Sequence, residues 1–170
     1  LMHPDVDVAV FETARGGLLR EGLAFDRCDV GVVTNIGEGD HLGLNYIATV
    51  EDLAVLKRVI VQNIAPDGMA ILNAADPIVV KMAENCPGAV TYFAADRHHP
   101  VMAAHKARGK RVVYIDGNLM VAAEHGVAVQ GIPLQDVSIT RKGTIGFQVE
   151  NAMASAAAAW ALGVDWKDIR

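Results

Sequence analysis

The run Val30-Gly31-Val32-Val33 breaks abruptly into a glycine-rich loop, Thr34-Asn35-Ile36-Gly37-Glu38-Gly39-Asp40-His41. An apolar, β-branched run without alternation predicts a strand buried on both faces, as in a parallel sheet. The pattern recurs along the chain: residues 6–11, 69–72 and 89–93 are further short apolar runs, each followed by turn residues. Helical stripes lie between them. Residues 51–64 carry Leu53, Leu56, Ile60 and Ile64 at helical spacing, and 78–84 form a second, shorter segment. Thr49 followed by Asp52 is an acidic capping box, and Asp76 before Pro77 is an N-cap with proline in the first turn. Pro66-Asp67-Gly68 predicts a stop and a turn. Strand, loop and helix in repetition predict an α/β fold with a parallel sheet and right-handed crossovers.

The pattern changes after residue 109. Asp116-Gly117-Asn118 joins two β-rich runs, 111–115 and 119–122, which is a hairpin signal. Residues 127–129, 137–139 and 145–147 predict further strands of a small appended antiparallel sheet. An alanine-rich helix over 150–162 ends at Gly163. This divides the chain into an α/β layer, 1–109 with 147–170, and a small β subdomain, 110–146. The composition fits such layers: 52% of residues are hydrophobic but only 5% aromatic, so Ala, Val, Leu and Ile must build the core. A net charge of −5 argues against nucleic-acid binding, and Lys106, Arg108, Lys110 and Arg111 form a basic run without interleaved aromatics. Two distant cysteines, Cys28 and Cys86, read as free thiols of a reducing cytoplasm. Neither a signal peptide nor an uncharged apolar stretch of membrane-spanning length is present. The chain opens almost inside a strand and stops just after a helix, so both ends read as cuts in a larger polypeptide.

Glu12 and His41 each lie just past the carboxyl end of a predicted strand, where open α/β sheets place their ligands. A carboxylate and an imidazole, with water and phosphate oxygens completing the shell, suit Mg²⁺ or Mn²⁺. The plainer reading is two loop side chains. Lys57 could reach the same crevice from its helix or remain a solvated cation. Arg15 is open between an anion contact and a surface role. Asn73 and Asp76 read first as a turn and a cap. Asn151 is open between a contact to a base edge and ordinary helix-start chemistry. No GxSxG elbow and no GxxxxGK[ST] phosphate loop occurs in the chain.

Taken in order, VFETARGGLLREGLAFDRCD from Val10, VVTNIGEGDHLG from Val32, the helix around Lys57 followed by ILNAADP from Ile71, and GFQVENAMASAAAAWALG from Gly146 resemble the ATP-dependent Mur ligase superfamily. Within it they are most similar to the cyanophycin-polymerising branch. The resemblance spans nearly the whole chain. It implies that Glu12 and His41 bind metal, and that Lys57 matches a lysine carried as a carbamate in many members, an anion able to support a second metal ion. Gln148 and Asn151 match the N-x-x-N positions near the adenine, with Gln148 replacing the usual Asn and Phe147 standing where the wider pattern has His.

The implied cofactors are ATP and Mg²⁺. The implied chemistry is acyl-phosphate formation on a carboxylate followed by attack of an amine, here arginine onto the β-carboxylate of an aspartate polymer. Arg15 as a carboxylate holder is an independent inference from its charge and place. The resemblance further implies a phosphate loop before Leu1 and a domain after Arg170, with a homo-oligomeric parent. This chain alone is therefore expected neither to bind ATP tightly nor to ligate. Two other readings remain at this point: a non-catalytic interaction domain of the same fold, and a metal-dependent hydrolase using Glu12, Asp40 and His41.

Overall fold

A computed structural model describes residues 3–37 and 47–169. Six strands form one mixed sheet in the order β1 to β6: β1 (Cys28–Val33), β2 (Ile64–Asn73), β3 (Ala89–Asp96), β4 (Val112–Asp116), β5 (Leu119–Glu124) and β6 (Val127–Pro133). The first four are parallel to one another. The last two turn back antiparallel, so the appended antiparallel strands extend the main sheet instead of forming a layer of their own. The turn that reverses the chain is the Asp116-Gly117-Asn118 hairpin, with Gly117 at φ 58°, a conformation open to glycine at little cost.

Side chains alternate across the central strands, as a sheet covered on both faces requires. Ala70 and Leu72 of β2, Tyr92 of β3 and Val112 of β4 face one core. Ile71, Phe93 and Val113, their neighbours in the same strands, face the other. The crossover helices α2 (Val50–Gln62), α3 (Pro77–Met82) and α4 (Pro100–Ala107) bury Leu53, Val61, Val79, Met82 and Met102 in the first core. The second is covered by α5 (Gly146–Ala161), which lays Val149, Ala152, Met153, Ala156 and Ala157 against the sheet. Alanine at the contact lets the helix axis approach the sheet closely, and the few large residues, Phe93 and Met153, fill the space between.

The caps predicted from sequence form. Thr49 Oγ1 accepts from Asp52 N at 3.1 Å while the Asp52 carboxylate accepts from Thr49 N at 3.0 Å, a complete capping box for α2. Hydrogen bonds to the Asp52 carboxylate, from the Thr49 side chain most of all and then from Thr49 N and Ala48 N, hold its carboxyl below its ordinary value. Asp76 Oδ1 accepts from Ile78 N at 2.8 Å and Val79 N at 3.2 Å at the start of α3.

Four stretches depart from the pattern reading. Residues 6–11 form no strand among the described residues, and Val10 is 90% exposed; pairing, which the apolar pattern cannot supply, is what makes a strand. Ile64 opens β2 instead of closing α2, and β2 runs through Pro66-Asp67-Gly68. The turn residues become an irregularity inside the strand, where the register with β1 jumps from Cys28↔Ile64 to Val30↔Met69. Val137 lies between two short 3₁₀ turns, Leu134–Asp136 and Ser138–Thr140, and residues 138–139 belong to the second; the pair is tied by Thr140 Oγ1 donating to the carbonyls of Leu134 and Val137. Residues 145–147 are the N-cap and first turn of α5. In both places a β-branched run too short to cross a sheet yields to local backbone hydrogen bonds.

Candidate functional site

The loop after β1 leaves the sheet at Val33 and lies at the carboxyl end of the parallel strands. A cleft of about 680 Å³ runs along the outer edge of β1. It is lined by residues 6–13, by Arg27 to Asn35, and by Lys57 and Ile60 of α2. Glu12 lines it with its side chain exposed, and Lys57 faces the same space half-buried. The fold therefore brings Glu12 and Lys57, distant in sequence, to one cleft with Thr34 and Asn35 of the β1 loop. Helix α1 (Arg15–Glu21) begins immediately after the Glu12 segment, and Arg15 is its first residue.

Asp40 and His41, the other half of the metal pair expected from sequence, lie outside the described residues. Among the described residues no group of three or more His, Cys, Asp and Glu side chains is placed to hold a metal ion. An exposed carboxylate on an open cleft nevertheless fits the chemistry of a hard divalent cation, which takes one or two protein carboxylates and fills its shell with water and phosphate oxygens. Lys57 as an ammonium would oppose such a cation at close range, whereas its carbamate would assist it.

Gln148 and Asn151 share the first turns of α5, where Asn151 Nδ2 donates to Gln148 Oε1 at 3.4 Å. Asn151 is exposed and Gln148 half-buried. The N-cap of α5, Ile145, has no side-chain cap, and the first turn carries no acidic residue. Neither Gln148 nor Asn151 lines the β1 cleft, although Ala158 and Leu162 farther along the same stretch do.

A second cleft, of about 700 Å³, opens beside the first. It is lined by Asn35, Ile36 and Gly37 of the β1 loop, Val50 and Glu51 of α2, and Ala75 to Ile78 at the start of α3. Asn35 borders both clefts. Here the reading of Asp76 as a cap is correct and incomplete. Its second oxygen, Oδ2, accepts from Ile36 N at 2.7 Å, joining the β1 loop to the α3 start. Sequence carried no sign of this bond, because forty positions separate the partners and a capping aspartate reads the same with or without a second acceptor role. Asn73 is buried and its Oδ1 accepts from Ala75 N at 2.9 Å, the turn expected of it.

Other chemically able groups are engaged elsewhere. Burial pushes the Cys28 thiol up, with the nearby Asp29 charge adding to it, and burial also raises Cys86. Such thiols are poor nucleophiles at neutral pH. Within the basic run, Lys106 Nζ donates to Tyr114 Oη at 3.3 Å, and Arg111 pairs with Glu124 at 2.9 Å while stacking over Trp160. No helix among the described residues is long and apolar enough to cross a membrane.

Residues 1–159 match the family model of the Mur ligase middle domain. The chain is 42% identical to the cyanophycin synthetase of Geminocystis herdmanii over 172 residues, covering 100% of this chain and 19% of that protein. It is 43% identical to the cyanophycin synthetase of Crocosphaera subtropica over 171 residues, again 100% of this chain and 19% of the relative. The chain thus spans about one fifth of the length of these relatives. Among solved structures, MurF from Acinetobacter baumannii superimposes with a TM-score of 0.52 at 21% identity, over 83% of this chain and 27% of that one. A likeness at that identity establishes the α/β fold.

Proposed function

The chain belongs to the Mur ligase middle domain family, and from that membership we propose that it serves an ATP-dependent amide ligase that joins arginine to the β-carboxylate of aspartate in cyanophycin. The observation that carries the site within this reading is the meeting of Glu12 and Lys57 in one cleft with the carboxyl end of β1. The identity to two cyanophycin synthetases over the whole chain supports this choice of substrates.

Glu12 and His41 would hold Mg²⁺, and a carbamylated Lys57 would add a third anionic group. The ion would supply charge neutralisation of the ATP phosphates. The γ-phosphoryl group passes to a substrate carboxylate oxygen as ADP leaves, giving an acyl phosphate. The amine then attacks the acyl carbon, loses a proton and expels inorganic phosphate. Much of the rate comes from positioning, since each step needs only alignment and charge stabilisation. Arg15, close in sequence to Glu12, is suited by its guanidinium to hold a carboxylate. Gln148 and Asn151, side by side on α5, present an amide pair able to meet a base edge. The reaction belongs to the cytoplasm, where ATP is available.

The isolated 170-residue chain is expected neither to ligate nor to bind ATP tightly, because the backbone amides of a phosphate loop normally hold the β- and γ-phosphates. Calorimetry with Mg-ATP should give no micromolar binding to it. In the parent protein, arginine-dependent phosphate release with an aspartate polymer should fall by about 100-fold or more in His41→Ala and Glu12→Gln, the loss of a group that stabilises transferring charge. Full activity in both variants would refute the metal assignment, and absence of arginine-dependent turnover in the wild-type parent would refute the substrate.

A further inference from the structure

The bond between Asp76 and Ile36 does something that helix capping does not require. One oxygen of the Asp76 carboxylate, Oδ1, serves both free amides of α3. The other is spent on the β1 loop. The segment that presents Asp76 is itself held firmly. Ala74 N donates to Phe93 O at 2.9 Å, and Asn73 Oδ1 fixes the turn through Ala75 N. Asp76 therefore has its place set by β2 and β3, at the middle of the sheet. The β1 loop stands at the sheet's edge, where, among the described residues, β1 pairs only with β2. Ile36 is anchored there by its buried side chain, 6% exposed, and by this one carboxylate.

Resting on the ligase reading above, we propose that Asp76 is a positioning residue. It holds Ile36, and with it Asn35 of the β1 loop, in register with the Glu12–Lys57 cleft. A carboxylate suits the task because both its oxygens accept, so one side chain can serve two backbone segments at once. A charge-assisted bond of 2.7 Å is also short enough to set the loop's position and not merely to accompany it. Asn35, which borders both clefts, is the described residue whose place depends most directly on this bond.

Two variants separate the roles. Asp76→Asn keeps Oδ1 as cap acceptor but turns an amide donor toward the Ile36 N–H. Asp76→Ser keeps a capping oxygen and is too short to reach Ile36. Amide hydrogen exchange followed by NMR on the 170-residue chain reads the latch without any reference to activity. In both variants the Ile36 amide is expected to exchange about tenfold faster or more, with Ile78 and Val79 within about twofold of wild type. In the parent protein, kcat is expected to fall about tenfold or more in Asp76→Asn, with KM for arginine within about twofold.

Unchanged exchange at Ile36 in both variants would overturn the proposal. So would equal acceleration at Ile36, Ile78 and Val79, since that is the mark of a cap alone. Faster exchange at Ile36 with wild-type kcat would overturn the link to the reaction. If the wild-type parent fails to ligate while Ile36 alone loses protection, the ligase reading falls and the latch stands.

Discussion

Two stretches of this chain carry nearly the same message in sequence and reach different ends. Residues 6–11 and the run Val30 to Val33 are both short, apolar and rich in valine. The second becomes β1, paired through Val30 to Val33 with Met69 to Leu72 of β2. The first lines the same cleft and joins no strand among the described residues, with Val8 53% and Val10 90% exposed. Their side chains are equally suited to a strand. They differ in whether a neighbour's amides and carbonyls lie within reach, and in whether helices close over both faces. A strand is a relation between segments, and its pattern states only that a segment is eligible.

The sharpest test of that contrast sets the sheet centre against the cleft wall. Phe93→Ala, which empties a fully buried site between β3 and α5, should cost about 3–5 kcal/mol in urea denaturation. Val10→Ala should change stability by less than about 0.5 kcal/mol. A cost above about 1 kcal/mol at Val10 would mean that residues 6–11 are packed after all, and the contrast would collapse.

Glycines on the two sides should diverge in the same sense. A side chain at Gly88, just ahead of β3, would meet Ala65 O at 2.7 Å, a contact with backbone that cannot rotate away. Gly88→Ala should therefore cost about 1–3 kcal/mol by thermal or urea denaturation. Gly17, inside α1, has nothing within 4 Å of an added Cβ. Gly17→Ala should be neutral or raise stability by up to about 1 kcal/mol, as alanine favours the helix. Equal costs at the two positions would contradict the packing difference.

The smallest effect is a pH dependence, and it belongs to the first core. His105 of α4 packs edge-on against Tyr92, with its Nε2 2.9 Å from Val90 O. Burial lowers its pKa from the ordinary 6.5; the Val90 bond opposes this, and the charges of Lys110 and Arg108 add to it. Because the folded value is the lower one, the unfolded chain takes up the proton first as pH falls. This contribution to stability is complete above about pH 6.5 and is lost progressively below it. Denaturation midpoints measured between pH 8 and pH 5 should fall less steeply in His105→Gln than in wild type. An identical slope in both proteins would remove His105 as the cause.

Much of the fold was legible. The strand–loop–helix order, the capping box at Thr49 and Asp52, the N-cap at Asp76 and the hairpin at Gly117 are local features, and each is written in the residues that perform it. The misreadings arise where a short local signal met a competing interaction, distant or local, or found no pairing partner. Pro66-Asp67-Gly68 is turn-like, yet the pairing of Met69 onward with β1 draws the segment into β2 as an irregularity. Residues 137–139 favour a strand, yet Thr140 binds the carbonyls of Leu134 and Val137 and tightens the chain into 3₁₀ turns. At the site, residue types that can bind metal or polarise a carboxylate can be picked out along the chain, but their convergence cannot. That Glu12 and Lys57 share a cleft follows from the packing of α2 beside β1.

The sequence by itself determined which segments could be strands, where helices start, and that the chain carries the ordered motifs of the Mur ligase superfamily. The first two follow from side-chain shape, backbone preference and capping chemistry, all of which act over a few residues; the third rests on resemblance to a known family. Only the tertiary structure decided which eligible strands pair, that the antiparallel strands extend one sheet, and that the second oxygen of Asp76 reaches Ile36. Those outcomes depend on hydrogen bonds and burial between segments far apart in the chain, and short-range pattern carries no record of them.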